Sequence, residues 1–309
     1  MKLEEFVEVI ATKVSEELGE DYTVTSRKAL KNNSVELDCL VISQKDCVVA
    51  PNIYLNGFYA EYKNGKTVED LVKGIIKLFG ECREHLKNPS CYSIDTENAA
   101  ERIILRLVNY TKNQKMLARC PHERIMDLAV TYHYVVSNNA EDGLATVRIE
   151  YENMKYFNLD VNSLRLNALK NTERMFPPDF EKIEHVLRGF FQKNLGISEF
   201  ERPEMINGIP MYVLTSSSRM NGAVCILYKG MLERIRKSLN SDFYIIPSSI
   251  NEVLIVPDSG NMDRMFLNDM LRSVNREEVP EMEILSDNVY HYPEDQFVSE
   301  FVSEEESPV

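Results

Sequence analysis

The chain has 309 residues, of which 44% are hydrophobic and 27% are charged, and its formal net charge is −14 at pH 7. A chain of this length and composition can bury a substantial core, so it needs no disulfide or structural metal to fold. The length fits two domains or one large one. The acidity argues against a nucleic-acid partner, because a duplex binder needs a basic face to displace counterions from phosphates.

The cysteines and the N-terminus indicate a reduced compartment. The six cysteines are scattered and form no C-x-x-C pair: Cys39, Cys47, Cys82, Cys91, Cys120 and Cys225. The first twenty residues are rich in acids and lack the charged and apolar regions of a signal peptide. No apolar run is long enough to cross a membrane. The sequence therefore predicts a cytoplasmic protein with no membrane association.

The first third predicts an α-β-β-β order followed by two helices. An apolar stripe begins at Leu3 and ends at Leu18, before Gly19 as the cap. Two β-rich runs flank the turn Lys31-Asn32-Asn33, and "CVVAPNIYL" predicts a third strand. Asn64-Gly65 ends the next helix, and Thr67 with Asp70 has the form of a capping box for the second.

The middle of the chain predicts mainly helix. Apolar residues at 99, 103, 107 and 108 have helical spacing, and "PHERIMDLAVTYHYVVSN" places Pro121 at the first helical position. The β-branched and aromatic end of that run is typical of a strand. "GLATVRIEYENMKYF" then predicts a strand, and Asp160 caps a helix that ends near residue 176.

The last third predicts a β-α-β-β-α order. "IPMYVLTS" is a predicted strand, "CILYKGMLERIRKSLN" a helix, "FYIIPS" and "EVLIVPD" a hairpin, and "MDRMFLNDMLRSVNRE" a helix. "NVYHY" adds a short strand. Because strands and helices come in clusters, the fold class is predicted as α+β, with two lobes of antiparallel meander strands packed with helices and a helical middle.

These elements predict five segments. They are an N-terminal lobe over 1–90, a helical middle with one or two strands over 91–175, a variable linker over 176–208, a C-terminal lobe over 209–295 and a disordered acidic tail over 296–309.

Several runs resemble a known family. "NIYLNGFYAEYKNGKTVEDLV", "RLVNYTKNQKMLARCPHERIMDLAVTYHYVV", "LRLNALKNTERMFP" and "DFYIIPSSINEVLIVPD" resemble an uncharacterised bacterial family of unknown function that is common in gut clostridia. A weaker likeness, mainly in "LNALKN" and the C-terminal hairpin, points to the YtpQ-like uncharacterised family. The resemblance covers most of residues 1–295 and implies a bacterial cytosolic protein. It implies no activity, cofactor or catalytic residue.

The serine turn Pro247-Ser248-Ser249 could hold a nucleophile on a sharp bend. A hydrolase elbow needs glycines around the serine and a helix after it, whereas here no glycine flanks the turn and a strand follows. His291 and Asp258 could complete a triad on paper. A hairpin turn, central to the C-terminal sheet, is the favoured interpretation.

Metal and nucleotide sites are also disfavoured by the sequence. If residues 122–133 formed one helix, His122 and His133 would lie about 16 Å apart along its axis, too far to share a metal. No H-E-x-x-H, Walker loop or G-x-G-x-x-G occurs. We therefore predict no metal site and no cofactor.

A metal-dependent nuclease is the enzymatic alternative. Asp38 on a strand, with Glu61 and Lys63 as a Glu-x-Lys triplet, could position a divalent metal and a lysine against a phosphodiester. That chemistry needs the triplet on a neighbouring strand, whereas the sequence predicts a helix there.

A partner surface is the remaining hypothesis. "NIYLNGFYAEY" brings Tyr54, Phe58, Tyr59 and Tyr62 close together, and such aromatic residues anchor interfaces. Packing of a helix against a sheet would use the same residues, and core packing is favoured. We predict a non-catalytic binding or protein-interaction module with a possible protein partner, and an oligomeric state that the sequence does not define.

Overall fold

A computed structural model describes residues 1–44, 52–86, 98–139, 143–152, 154–156, 159–187 and 210–295. The chain divides into two compact units, over residues 1–94 and 95–309. In the described residues the strands form three antiparallel sheets that pack with helices. The predicted α+β class is confirmed.

The N-terminal unit has the predicted element order. Its elements are α1 (Leu3–Leu18), β1 (Tyr22–Leu30), β2 (Glu36–Gln44), β3 (Asn52–Tyr54), α2 (Asn56–Lys63) and α3 (Val68–Leu86). The three strands pair in the order β1-β2-β3. Asn33 takes a left-handed conformation in the turn between β1 and β2, as the predicted hairpin requires.

Helix packing builds the core of this unit. Phe6, Ile10 and Val14 of α1 are buried in one apolar cluster with strand and α3 residues such as Leu40 and Ile75. Their spacing of three to four residues places them on one face of α1. The predicted Thr67–Asp70 pair caps α3: Thr67 Oγ1 accepts from the Asp70 N–H at 3.2 Å and donates to the Asp70 carboxylate at 2.7 Å.

The first sheet of the C-terminal unit is built around one long strand. The elements are β4 (Ile103–Asn109), α4 (Gln114–Leu117), β5 (His122–Ile125), β6 (Leu128–Asn139) and β7 (Gly143–Arg148). β4 pairs with one edge of β6, whereas β5 and β7 pair with successive halves of the other edge. β6 is therefore the only strand that contacts all the others in this sheet as described.

The helix predicted over residues 99–108 and the helix start predicted at Pro121 are wrong, whereas the strand predicted at the end of the second run is present in β6. A short 3-10 turn over Ala99–Arg102 leads into β4, and β5 and β6 form a hairpin around a turn where Met126 has φ +53°. β4 is buried on both faces, so its sequence is a nearly continuous apolar run. In such a run some apolar residues lie three or four positions apart by chance, as they would on a helix. In β6, tertiary pairing and β-branched residues prevail over the helix-start signal at Pro121.

Helix α5 (Val161–Met175) closes the outer edge of β4. Asp160 caps it as predicted, since its carboxylate accepts a bond from the Ser163 N–H. The Leu105 N–H donates to Thr172 Oγ1 at 2.8 Å, and the amide of Asn171 donates to the Ile103 carbonyl at 3.0 Å. Side chains thus satisfy backbone groups that an open edge would expose.

The second sheet has five strands, and two helices lie between them in the chain. They are β8 (Pro178–Lys182), β9 (Tyr212–Ser216), α6 (Met231–Leu239), β10 (Phe243–Ile246), β11 (Glu252–Pro257), α7 (Arg264–Glu277) and β12 (Tyr290–Tyr292). The strand order is β12-β10-β11-β9-β8. The predicted hairpin of β10 and β11 is confirmed at the centre of this sheet. The helix predicted from Cys225 begins only at Met231, after a 3-10 turn over Gly222–Leu227.

Some predictions are not tested by this fold. The finer boundaries at 90, 175 and 208 stay predictions. Residues 188–208 of the predicted linker and the predicted disordered tail over 296–309 lie outside the described residues. Among the described helices, none combines the length and the apolar character that crossing a membrane requires.

Gly222 has the most crowded Cα among the glycines of the described chain. A Cβ built on it would lie 2.2 Å from Thr215 Oγ1 and 2.3 Å from the carbonyl oxygen of Asn251. The same carbonyl accepts a hydrogen bond from Thr215 Oγ1 at 2.7 Å. The 3-10 turn can therefore approach β9 and the start of β11 only with glycine at this position.

We expect Gly222→Ala to lower the free energy of unfolding of the C-terminal unit by about 3 kcal/mol, because a backbone carbonyl cannot yield to the added methyl group. Urea unfolding followed by circular dichroism measures the loss. Gly57→Ala is the control, since nothing lies within 4 Å of its built Cβ and it occupies a helix. Equal stability of Gly222→Ala and the wild type would contradict the close approach.

Candidate functional site

The serine turn is a structural junction. Ser248 and Ser249 are both buried, and Ser249 Oγ accepts a hydrogen bond from the Asn251 N–H at 3.0 Å. The Ser248 carbonyl accepts from the Leu285 N–H at 3.1 Å. The turn therefore joins β10 to the chain that leads into β12, and its serine side chains are enclosed in the fold.

The hypothetical triad of a turn serine with His291 and Asp258 is not assembled in the structure. His291 Nε2 does lie 3.2 Å from Asp258 Oδ2. However, His291 is paired opposite Tyr244 on β10, and Ser248 lies four residues further along the chain. At the rise of a β-strand this separation is about 14 Å, so His291 cannot take a proton from either serine.

The residues of the nuclease hypothesis lie on different kinds of element. Asp38 lies on β2 opposite Lys28, whereas Glu61 and Lys63 lie on α2. Glu61 forms an ion pair of 3.1 Å with Lys66. The Glu-x-Lys triplet is therefore not on the neighbouring strand that this chemistry needs. Within the described chain, no three His, Cys, Asp or Glu side chains are grouped to hold a metal ion.

The aromatic residues of the predicted partner surface pack inside the N-terminal unit. The rings of Tyr59 and Tyr62 lie 5.3 Å and 5.4 Å from the ring of Phe6 on α1. Phe58 packs on the same core while partly exposed. The Tyr54 ring has the Lys31 ammonium 4.2 Å from its centroid. This packing favours a structural role, and a role in partner binding stays a prediction.

A polar group on the first sheet of the C-terminal unit is the strongest candidate site. In one row across the strands, Arg106 of β4 faces Thr131 of β6, which faces His122 of β5. In the next row, His133 of β6 faces Arg148 of β7. Paired residues in antiparallel strands point to the same side of a sheet, so these five side chains share one face. We call this group the basic face.

Arg106 is the polar exception in an apolar strand. It is the one partly exposed residue of β4, whose six other residues are buried. Burial lowers the pKa of Arg106, and no carboxylate acts on it to offset that effect. Among the described residues, its guanidinium makes no hydrogen bond and no ion pair. The charge is thus partly removed from water without a protein partner.

The other arginines of this region share a single carboxylate. Arg148 lies 3.0 Å from Glu150 Oε1, and Arg119 lies 2.8 Å from Glu150 Oε2. Glu150 is therefore paired with both arginines.

His133 is neutral at pH 7. It is 9% exposed, and burial lowers its pKa well below 6.5, with the charges of Arg106 and Arg148 lowering it further. Its Nε2 lies 3.1 Å from Thr131 Oγ1. A hydroxyl beside an imidazole can serve as a nucleophile with its base, but Thr131 is fully buried, so substrate cannot reach its hydroxyl. The pair is suited to binding and support rather than to acyl transfer.

Sequence reasoning missed this site because residues 122–133 were interpreted as one helical pattern. On a helix His122 and His133 are far apart, whereas the hairpin register places His122 opposite Thr131, two residues from His133. The separation of about 16 Å used against a shared metal is therefore wrong. Arg106, a lone charge in the apolar run "IILRLVN", was the one available signal.

Comparison with known proteins identifies the family of the chain. A family model described as a family of unknown function (DUF5688) matches residues 3–294. No curated protein and no solved structure matches the chain. The predicted resemblance to an uncharacterised family is confirmed, whereas the clostridial source and the likeness to the YtpQ-like family stay predictions.

For the nuclease hypothesis, we expect only background cleavage. Wild type and Asp38→Ala are incubated with single-stranded and duplex DNA in Mg²⁺ or Mn²⁺. Equal, background-level turnover is expected because the Glu-x-Lys triplet lies on a helix. Metal-dependent cleavage by the wild type that Asp38→Ala abolishes would establish the nuclease instead.

Stability should fall on acidification because His133 stays neutral in the folded state. Below about pH 6.5 the unfolded chain binds a proton at His133 that the folded chain does not. The contribution is about 1.4 kcal/mol per pH unit for one proton, and His133→Gln should remove it from the slope. Urea unfolding between pH 7 and pH 5 tests this difference. A His133 imidazole that nitrogen NMR finds protonated at pH 6 would contradict it.

Proposed function

The chain belongs to the DUF5688 family of unknown function, and we propose that it is a non-catalytic binding module that holds an anionic group beside Arg106. The observation that carries the proposal is the partly buried guanidinium of Arg106, which has no hydrogen-bond or ion-pair partner among the described residues. The ligand or partner would present this group to the basic face.

The physical argument rests on the cost of desolvating a charge. A buried charge without a partner costs several kcal/mol, and folded proteins normally supply an opposite charge or a hydrogen-bonding network. Arg106 lies between two apolar residues of a buried strand, yet no carboxylate lies within ion-pair distance in the described chain. An anion bound from solution would offset this cost through charge-assisted hydrogen bonds.

The surrounding residues support binding rather than chemistry. Arg148 comes from the opposite side of β6 and is oriented by Glu150. His133 lies in the row of Arg148, next to the row of Arg106, and it stays neutral, so it adds no positive charge beside the two arginines. Thr131 is buried and can donate its hydroxyl proton to the Arg106 carbonyl. None of these contacts requires a reacting group.

A second surface supports the proposal less well. The aromatic residues Tyr54, Phe58, Tyr59 and Tyr62 have contacts within their own unit, which explain their presence without a partner. The basic face has no such internal explanation for Arg106. A protein partner therefore remains compatible with the proposal if it supplies the anionic group.

The test compares the stability and the anion binding of Arg106→Met. Removing an unpaired buried charge while keeping an apolar side chain should leave the melting temperature unchanged or higher when no anion is present. Saturating acetate or inorganic phosphate should stabilise the wild type by about 2–3 kcal/mol at one hundred times Kd. Arg106→Met should lose this stabilisation, as measured by differential scanning fluorimetry at constant ionic strength.

Arg272→Met is the matched control. Arg272 lies on α7, is exposed and pairs with Asp269 at 3.6 Å, so its removal should leave the anion effect intact. If Arg106→Met is strongly destabilised without any anion, Arg106 has a structural role and the proposal is wrong. The same conclusion follows if neither acetate nor phosphate stabilises the wild type.

A further inference from the structure

We infer that two copies of this chain pair through the outer edge of β1, so that the three-stranded sheet of the N-terminal unit continues from one copy into the other. The inference does not depend on the anion site or on the proposed function. It is carried by a strand edge without a partner strand, a groove beside that edge, and complementary charges at the two ends of the strand.

The outer edge of β1 is available for pairing. The strand order is β1-β2-β3, so in the described chain only β2 pairs with β1. On β2, the Asp38 carbonyl accepts from the Leu55 N–H at 2.8 Å, and the Asp38 N–H donates to a side chain of α2 at 3.1 Å. Both groups therefore point away from β1. Lys28, which lies opposite Asp38, directs its own N–H and carbonyl to the outer edge, and alternation gives Val24 and Ser26 the same direction.

A groove lies beside this edge within the N-terminal unit. It is open, has a volume of about 570 Å³ and is lined by Thr12, Ser15 and Glu16 of α1 and by Tyr22 and Val24 of β1. Val24 also packs against the core that α1 covers. Every second side chain of β1 points to that side of the sheet, and a strand added to the edge would have the same alternation. Such a strand would place alternate side chains in the groove.

The two ends of β1 carry opposite charges. Glu16 and Glu20 line the groove, are exposed and form no ion pair in the described chain. Lys28 lies near the other end on the same side of the sheet as Val24, and its ammonium has no ion-pair partner among the described residues. A lysine on an edge strand normally prevents pairing, because it would face an apolar or like-charged neighbour. An antiparallel copy removes this obstacle, since it brings carboxylates to the lysine.

The pairing register follows from these positions. An antiparallel copy centred on Ser26 places Val24 opposite the partner's Lys28. The edge-directed groups of both strands then face one another, which allows about six backbone hydrogen bonds. The partner's Lys28 enters the groove beside Val24, where Glu16 and Glu20 supply the opposite charge. The two-fold axis forms this contact twice and closes the assembly at a dimer.

The first experiment exchanges the charges and measures the dimer Kd by sedimentation equilibrium at up to about 200 µM chain, a range that detects the weak dimers of small interfaces. Lys28→Glu should weaken the dimer at least about tenfold, because it places like charges in the groove. The pair Glu16→Lys and Glu20→Lys in one chain should have the same effect. An equimolar mixture of these two variants should restore the dimer, since each variant supplies the charge that the other needs. Glu17→Lys is the control, because Glu17 is exposed on α1 outside the groove lining.

The second experiment tests the backbone pairing without changing charge. Ser26→Pro removes an N–H that points to the outer edge, and proline is tolerated on an edge strand at such a position. This variant should be monomeric while its circular dichroism matches that of the wild type. Thr25→Pro is the matched control, because the N–H of Thr25 is directed toward Val41 of β2, and it should destabilise the fold itself.

Three outcomes would overturn the inference. One is a wild type that stays monomeric at about 200 µM, which means that the lysine protects the edge or that the edge pairs with a different chain. Another is a dimer that Ser26→Pro and both charge variants leave intact, which means that the copies use another surface. The third is a mixture of the two charge variants that remains monomeric.

Discussion

The backbone of Leu105 is the point on which the geometry of the C-terminal unit depends. Its N–H donates to Thr172 of α5, and its carbonyl accepts from the Asn221 amide at 2.9 Å. One residue of β4 is thereby joined to a helix and to the 3-10 turn beyond β9. Because side chains alternate along a strand, fixing Leu105 also fixes the direction of its neighbour Arg106. The basic face is thus oriented by hydrogen bonds made on the opposite edge of the strand.

The same bonds explain why an edge strand can be almost wholly apolar. Exposed backbone groups at such an edge invite pairing with other chains, and natural proteins cover them. Here Asn171, Thr172 and Asn221 cover the edge with side chains rather than with another strand. The family-like phrase "LRLNALKNTERMFP" includes two of these residues. Two residues of that phrase, Asn171 and Thr172, therefore serve to satisfy the backbone groups at the open edge of β4.

Much of the fold followed from local signals in the sequence. The stripe of α1, the turn at Asn33, the capping box at Thr67 and the cap at Asp160 are decided by residues near one another in the chain. The hairpin at the serine turn was also predictable, because Pro247 and the flanking β-rich runs are local. These elements were correct because tertiary contacts reinforce their propensities.

The strands of the middle sheet and the candidate site were not predictable in this way. β4 and β6 are buried on both faces, so they lack the alternation that identifies a half-buried strand. The basic face exists only after register is set, since Arg106 and Arg148 lie on strands separated by β6. Register depends on pairing over tens of residues, and no single window of sequence contains it.

The carboxylate of Asp127 shows how late this unit is completed during synthesis. It lies in the turn between β5 and β6 and accepts bonds from Ser286 and Tyr290, which are 159 and 163 residues further along the chain. All residues of the basic face have been synthesised by Arg148, whereas the partners of Asp127 are synthesised only with Ser286 and Tyr290. Contacts of such long range also slow folding. The contacts of Asp127 with Ser286 and Tyr290 can therefore form only after nearly all of the unit has been synthesised.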